Sequence, residues 1–177
     1  FTQWNCSYCA PWNPLELGVV QALGVDSVVN IKYHVWWPGA NNDPFYLWNS
    51  SEAAARANYY GVTGVPDGYL DGRTSISQST ASFRNQIRSR CNTPAPCTIE
   101  CIACASTATT VDFAGTINAV DSALTNTQLF AVLISNEEHA TGGTNGEVDF
   151  YNVFRDMWPN SNGQTINVTL GGSFEFT

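Results

Sequence analysis

Lysine is almost absent from this chain of 177 residues. Lys32 is the single one, and seven Lys and Arg stand against fifteen Asp and Glu, for a formal net charge of −8. So little positive charge excludes the electrostatic footprint needed for nucleic acid or for an anionic membrane surface. Long apolar runs are missing too. The longest, Leu129 to Ile134, has the length of a strand and falls far short of a membrane span. There is no Cys-x-x-Cys-His that would attach haem, no internal repeat and no low-complexity tract. The chain does not begin with Met and carries no visible signal peptide, and is expected to be a mature or trimmed product.

What is present is ordinary globular material, 44% apolar, enough for one generous core or two small ones. The six cysteines are Cys6, Cys9, Cys91, Cys97, Cys101 and Cys104, an even number with four of them inside fourteen residues. With an acidic surface rich in Asn, Ser, Thr and Gly, this count points to an oxidising compartment. The expected location is extracytoplasmic: secreted, periplasmic or outer-membrane associated. The last four cysteines lack the spacing of paired zinc knuckles and have no histidine nearby, so structural disulfides are expected of them and a metal site is not.

Cys6-Ser7-Tyr8-Cys9 stands just before a helix-like run. Two cysteines at this spacing can close a small reducible disulfide at the first turn of a helix, with one sulfur exposed and its thiolate favoured by the helix dipole. Asn5 reads as the N-cap, Leu15, Val19 and Leu23 as the apolar face, and Pro11 and Pro14 as the cause of a kink or break. Ser27 to His34 reads as a buried strand, Trp36 to Trp48 as a long aromatic loop, and Asn49-Ser50-Ser51-Glu52 as a capping box opening an alanine-rich helix to Tyr60. Asp71-Gly72 marks a tight turn between short strands, and Ile76, Thr80, Phe83 and Ile87 one face of a further helix. The proline-rich Cys91 to Cys97 segment is the expected boundary, giving domains 1–92 and 93–177. Beyond it, alternation predicts five to seven antiparallel strands in a sandwich.

The Val65-Pro66 pair lies some sixty residues after the cysteines, where a cis-proline would hold a bound peptide beside a reactive sulfur. Together with the opening Phe1-Thr2-Gln3-Trp4-Asn5-Cys6-Ser7-Tyr8-Cys9 and Tyr60-Gly61-Val62-Thr63-Gly64-Val65-Pro66, this makes residues 1–90 resemble the thioredoxin fold. More narrowly, Asp43-Pro44-Phe45, Arg56-Ala57-Asn58-Tyr59-Tyr60-Gly61-Val62 and Asn152-Val153-Phe154-Arg155 resemble the thioredoxin-like family named after a twenty-eight-kilodalton outer membrane protein. The resemblance implies an α/β thioredoxin-like domain, either whole or lacking its first strand, followed by an all-β, immunoglobulin-like sandwich. It implies Cys6 as the exposed attacking thiol, Cys9 as the resolving one and Pro66 as the cis-proline, with no cofactor.

Two residues would tune such a site. His34, at the end of the predicted strand, could adjust the Cys6 thiolate, the alternative being a solvent-facing loop histidine. Asp67 places a negative charge near the sulfurs, which would raise the thiol pKa. Other readings are weaker: Glu137-Glu138-His139 as an acid/base or metal cluster against a solvated loop, and Asp43 with Asn41 and Asn42 as calcium ligands without EF-hand spacing. The aromatics Trp36, Trp37, Phe45, Tyr46 and Trp48 read either as a peptide or glycan groove or as a small aromatic core. Asn5, Asn49 and Asn167 head glycosylation sequons.

Two functions follow. One is a thiol–disulfide oxidoreductase acting on thiols or disulfides of exported proteins. The other is a non-catalytic extracellular or surface module, with self-association through open sheet edges and strand exchange into a filament as one form of it.

Overall fold

The structure, a computed structural model, describes residues 1–177 apart from the side chains of residues 102 and 103. It is a mixed α/β chain with several antiparallel sheets. It forms two compact units: Phe1–Asn92 with Ala131–Ser161, and Thr93–Phe130 with Asn162–Thr177. A division after Asn92 is therefore present, but residues 131–161, expected in the second domain, belong to the first.

In the first unit, α1 (Cys9–Leu23) buries Cys9, Trp12, Asn13, Glu16, Val19 and Val20, the three- and four-residue spacing of one helical face. Of the expected face, Val19 is buried and Leu23 packs partly buried against the same core, whereas Leu15 is exposed and the polar Asn13 and Glu16 take the interior. Tyr8, not Asn5, is the N-cap. The helix is also unbroken. Pro11 occupies the first turn, where a backbone N–H has no intrahelical partner, and Pro14 is carried inside. Trp12, Val19 and Val20 pack with Phe83 and Ile87 of α4 (Thr80–Cys91).

The buried extended segment after α1 is Lys32 to Val35, shifted from the expected Ser27 to His34. Parallel bridges join Thr2 to His34 and Lys32 to Val153 of β7 (Asp149–Trp158), which pairs antiparallel with β6 (Ala131–His139). On the other side of the Phe1–Thr2 segment, the Asp67 N–H donates to the Phe1 carbonyl. Beyond Asp67, β1 (Tyr69–Leu70) and β2 (Thr74–Ser75) close a hairpin whose Asp71 and Gly72 both have positive φ, as its tight turn requires.

The aromatic segment is no loop throughout, because Pro44–Trp48 is a helix, α2, capped by Asp43. It is followed by α3 (Ser50–Tyr60), capped by Asn49, whose side chain accepts from Glu52 N–H. Phe45 is buried with Trp4, Phe150 and Val153, while Trp36 and Trp37 pack partly buried against Val35, Ala57 and Val62. These aromatics build cores.

In the second unit, β3 (Cys97–Ser106), β4 (Val111–Ala119) and β9 (Ser173–Phe176) form an antiparallel sheet in the order β3-β4-β9, and β5 (Leu124–Leu129) pairs with β8 (Gln164–Val168). Ile117, Ala119, Leu124, Ile166 and Val168 make one buried cluster shared by both sheets. The apolar run from Leu129 to Ile134 is thus two strands, broken at Phe130, where the chain passes from one unit to the other.

Candidate redox site

Cys6 and Cys9 are joined by a disulfide at the start of α1. The Cys6 carbonyl accepts the backbone N–H of Cys9 at 3.1 Å and that of Ala10 at 3.4 Å, so the turn leads straight into the helix. The Cys9 N–H also donates to Cys6 Sγ at 3.1 Å. A helix-start N–H aimed at a sulfur favours the thiolate when the bond is open.

The Val65–Pro66 bond is cis, and the Val65 carbonyl oxygen lies 3.4 Å from Cys6 Sγ. Cys6, Cys9 and the loop carrying Pro66 are therefore brought together, from positions some sixty residues apart. Asp67 follows, with its carboxylate accepting from the Gly68 N–H at 2.8 Å and from the Tyr69 hydroxyl at 3.2 Å.

Cys6 is not exposed as expected. Cys6 is 1% and Cys9 0% exposed, whereas Tyr8 between them is 76% exposed. The segment 140–148, which connects β6 to β7, is fastened to the turn that carries the two cysteines. Gly143 sits so close that a Cβ there would lie 2.6 Å from the Trp4 carbonyl oxygen. The N–H and hydroxyl of Thr144 donate to Asn5 Oδ1 at 3.0 and 3.2 Å. Asn145 Nδ2 donates to the Cys6 carbonyl at 3.1 Å. The role of Asn5 is thus to hold this strap, not to cap α1.

His34 is buried, with Nδ1 2.7 Å from Asp43 Oδ2, which overturns the solvent-facing alternative. Asp43 is fully buried and also accepts the backbone N–H groups of Trp4 at 2.9 Å, Phe45 at 2.9 Å and Tyr46 at 3.3 Å. It organises the chain around the dithiol; its oxygens are already taken by protein donors, which answers the calcium reading. Glu137, Glu138 and His139 lie on β6 and pair across to Tyr151, Arg155 and Asp149 of β7. Among the described residues, no group of three or more His, Cys, Asp or Glu is placed to hold a metal ion.

Sequence reasoning missed a second buried polar cluster. Lys32 Nζ is paired with Glu16 and donates to Asn13 Oδ1 at 3.1 Å, and Asn13 Nδ2 donates to both oxygens of Glu147 at 2.9 and 3.0 Å. Burial resists ionisation of Glu16, but the Lys32 ammonium outweighs it and holds the carboxyl below its ordinary value. Glu147 goes the other way, raised by burial in spite of its amide donors and the charges of His34 and Lys32. A lone lysine set among Val28, Val29, Ile31 and Tyr33 was the available signal, since a lysine is seldom buried without a carboxylate partner.

Cys91 ends α4, and Cys97, Cys101 and Cys104 lie along β3. Cys91, Cys97 and Cys104 carry thiols, so the disulfides expected among Cys91, Cys97, Cys101 and Cys104 are not present as bonds. Cys101 is four residue steps from Cys97, roughly 13 Å along β3 and beyond disulfide reach.

No helix of the described residues is long and apolar enough to cross a membrane. No protein-family model, curated protein or solved structure matches the chain.

Proposed function

We propose that the first unit is a thioredoxin-like domain and that Cys6 and Cys9 act as a thiol–disulfide exchange pair on exported polypeptides outside the cytoplasm. The observation that carries this reading is the joint placement of the Cys6–Cys9 disulfide at the start of α1 and the cis Val65–Pro66 carbonyl 3.4 Å from Cys6 Sγ. The parallel bridges from Thr2 to His34 and from Lys32 to Val153 support it further, because they add parallel pairing beside a helix that begins at the dithiol.

In the reduced state, the Cys6 thiolate attacks one sulfur of a substrate disulfide. A mixed disulfide forms, and the first substrate sulfur leaves as a thiolate. Cys9 then attacks the Cys6 sulfur, closes the intramolecular disulfide and releases the second substrate thiol. Two electrons pass from the dithiol to the substrate, and an external dithiol restores the reduced pair. The second unit, with two sheets on one core, fits an immunoglobulin-like sandwich.

A second reading is favoured by the burial of both cysteines and by the bond that ties the 140–148 strap to the Cys6 carbonyl. In it the disulfide is a structural staple of a surface module, with sheet edges available for self-association.

Titration of the Cys6–Cys9 couple against glutathione and dithiothreitol buffers, with insulin reduction as the activity assay, separates the two. The exchange reading expects a potential between about −270 and −120 mV and loss of activity in Cys6→Ser. A couple below about −300 mV, with no activity to lose, establishes the staple.

A further inference from the structure

A cavity of about 520 Å³ opens in the first unit between α1 and residues 145–151, within the size range of small-molecule sites. The α1 wall contributes Pro14, Leu17 and Gly18, and the space beside Gly18 is unfilled, since a Cβ there would meet nothing within 4 Å. The floor is polar, with Asn13, Lys32 and His34.

The charges around this space are unequal. Lys32 is matched by Glu16, His34 by Asp43, and Asp149 on the far wall by His139. Glu147 is different. Its carboxylate is half-buried and accepts from the side-chain amides of Asn13 and Asn145, but it takes part in no ion pair among the described residues. Its direct partners are neutral amides, and the charges of Lys32 and His34, each already paired with its own carboxylate, do not offset its burial; the natural complement of such a carboxylate is a cation brought from outside. The raised pKa of Glu147, caused chiefly by burial, agrees with that placement.

We propose that this cavity binds an organic cation: a primary ammonium or guanidinium seated on Glu147, with its apolar stem along Pro14 and Leu17. A lysine or arginine side chain presented by a polypeptide has this form, a charged head on an aliphatic stem. The strongly acidic chain, at −8, adds long-range attraction for such a partner. The proposal uses no thiol–disulfide step of Cys6 and Cys9, and does not stand or fall with the exchange reading.

The test is an amide NMR titration of the intact chain with N-acetyl-lysine methylamide and N-acetyl-arginine methylamide, with N-acetyl-norleucine methylamide as the uncharged control. Saturable shifts at Gly18, Glu147 and Val148 are expected with the two cations and not with norleucine. Glu147→Gln is expected to weaken binding at least tenfold, and Glu147→Asp, which keeps the charge, to retain part of it. The spectra themselves report whether each variant is folded. Equal binding of norleucine, unchanged affinity in a folded Glu147→Gln, or no saturable shift with either cation overturns the proposal.

Discussion

The side-chain amide of Asn145 donates to the backbone carbonyl of Cys6 across 139 residues of sequence, at 3.1 Å. That bond fastens the strap between β6 and β7 onto the turn that holds the disulfide. It makes access to Cys6 a property of the strap as well as of the CxxC motif.

Loosening the strap should therefore uncover the sulfur. Asn145→Ala removes the bond to Cys6, and Gly143→Ala places a methyl where the Trp4 carbonyl already sits. After reduction, both variants are expected to alkylate at Cys6 several-fold faster than the parent chain. Mass-spectrometric timing of iodoacetamide labelling measures this, and an unchanged rate would mean that the cover lies elsewhere.

Breaking the Glu16–Lys32 pair should destabilise the first unit strongly, because it strands a buried charge. Glu16→Gln is expected to cost about 3–5 kcal/mol. The paired replacement Glu16→Gln with Lys32→Met, which removes both charges, should recover much of that loss. Urea unfolding of the three proteins is the measurement, and a double variant no better than the single one would contradict the argument.

The two carboxylates give opposite pH dependences. Glu16 is held below its ordinary value in the folded chain, so its contribution is present above the unfolded pKa and is lost as pH falls through the folded value. Glu147 is raised, so its contribution is present below the unfolded pKa and disappears as pH rises through the folded one. Glu147→Gln should remove the second slope and leave the first, seen as a flatter melting-temperature profile on the less acidic side.

Asp43 should be among the most sensitive positions. Asp43→Ala leaves His34 and the backbone donors of Trp4, Phe45 and Tyr46 without their acceptor. An expected loss of about 3 kcal/mol combines a lost helix cap with unsatisfied buried donors. Calorimetry would show it as a lowered transition, and a variant melting with the parent would refute the role.

Much of this was legible locally. The capping box before α3, the Asp71-Gly72 turn and the alternation of β4 follow from short-range rules and stand in the structure close to where they were expected. On α1 the Val19 and Leu23 side of the expected face stands, but Leu15 was misread and Asn13 and Glu16 were missed, because these buried polar residues are satisfied by Lys32 and Glu147, partners that helical periodicity does not contain. The Leu129 to Ile134 run was misread for a related reason: its apolar character is continuous, while the units it serves are not.

The sequence by itself determined that two cysteines meet at a helix start, since their spacing spans a single turn and needs no distant partner. It also determined that a Val-Pro step was available for a cis bond. Only the tertiary structure decided that Val65 and Cys6 come within 3.4 Å, that Asn145 and Thr144 fasten the strap to the turn that carries the pair, and that Lys32 is buried against Glu16. Those relationships depend on which distant segments share a sheet and a core, and short-range propensities carry no information about that choice.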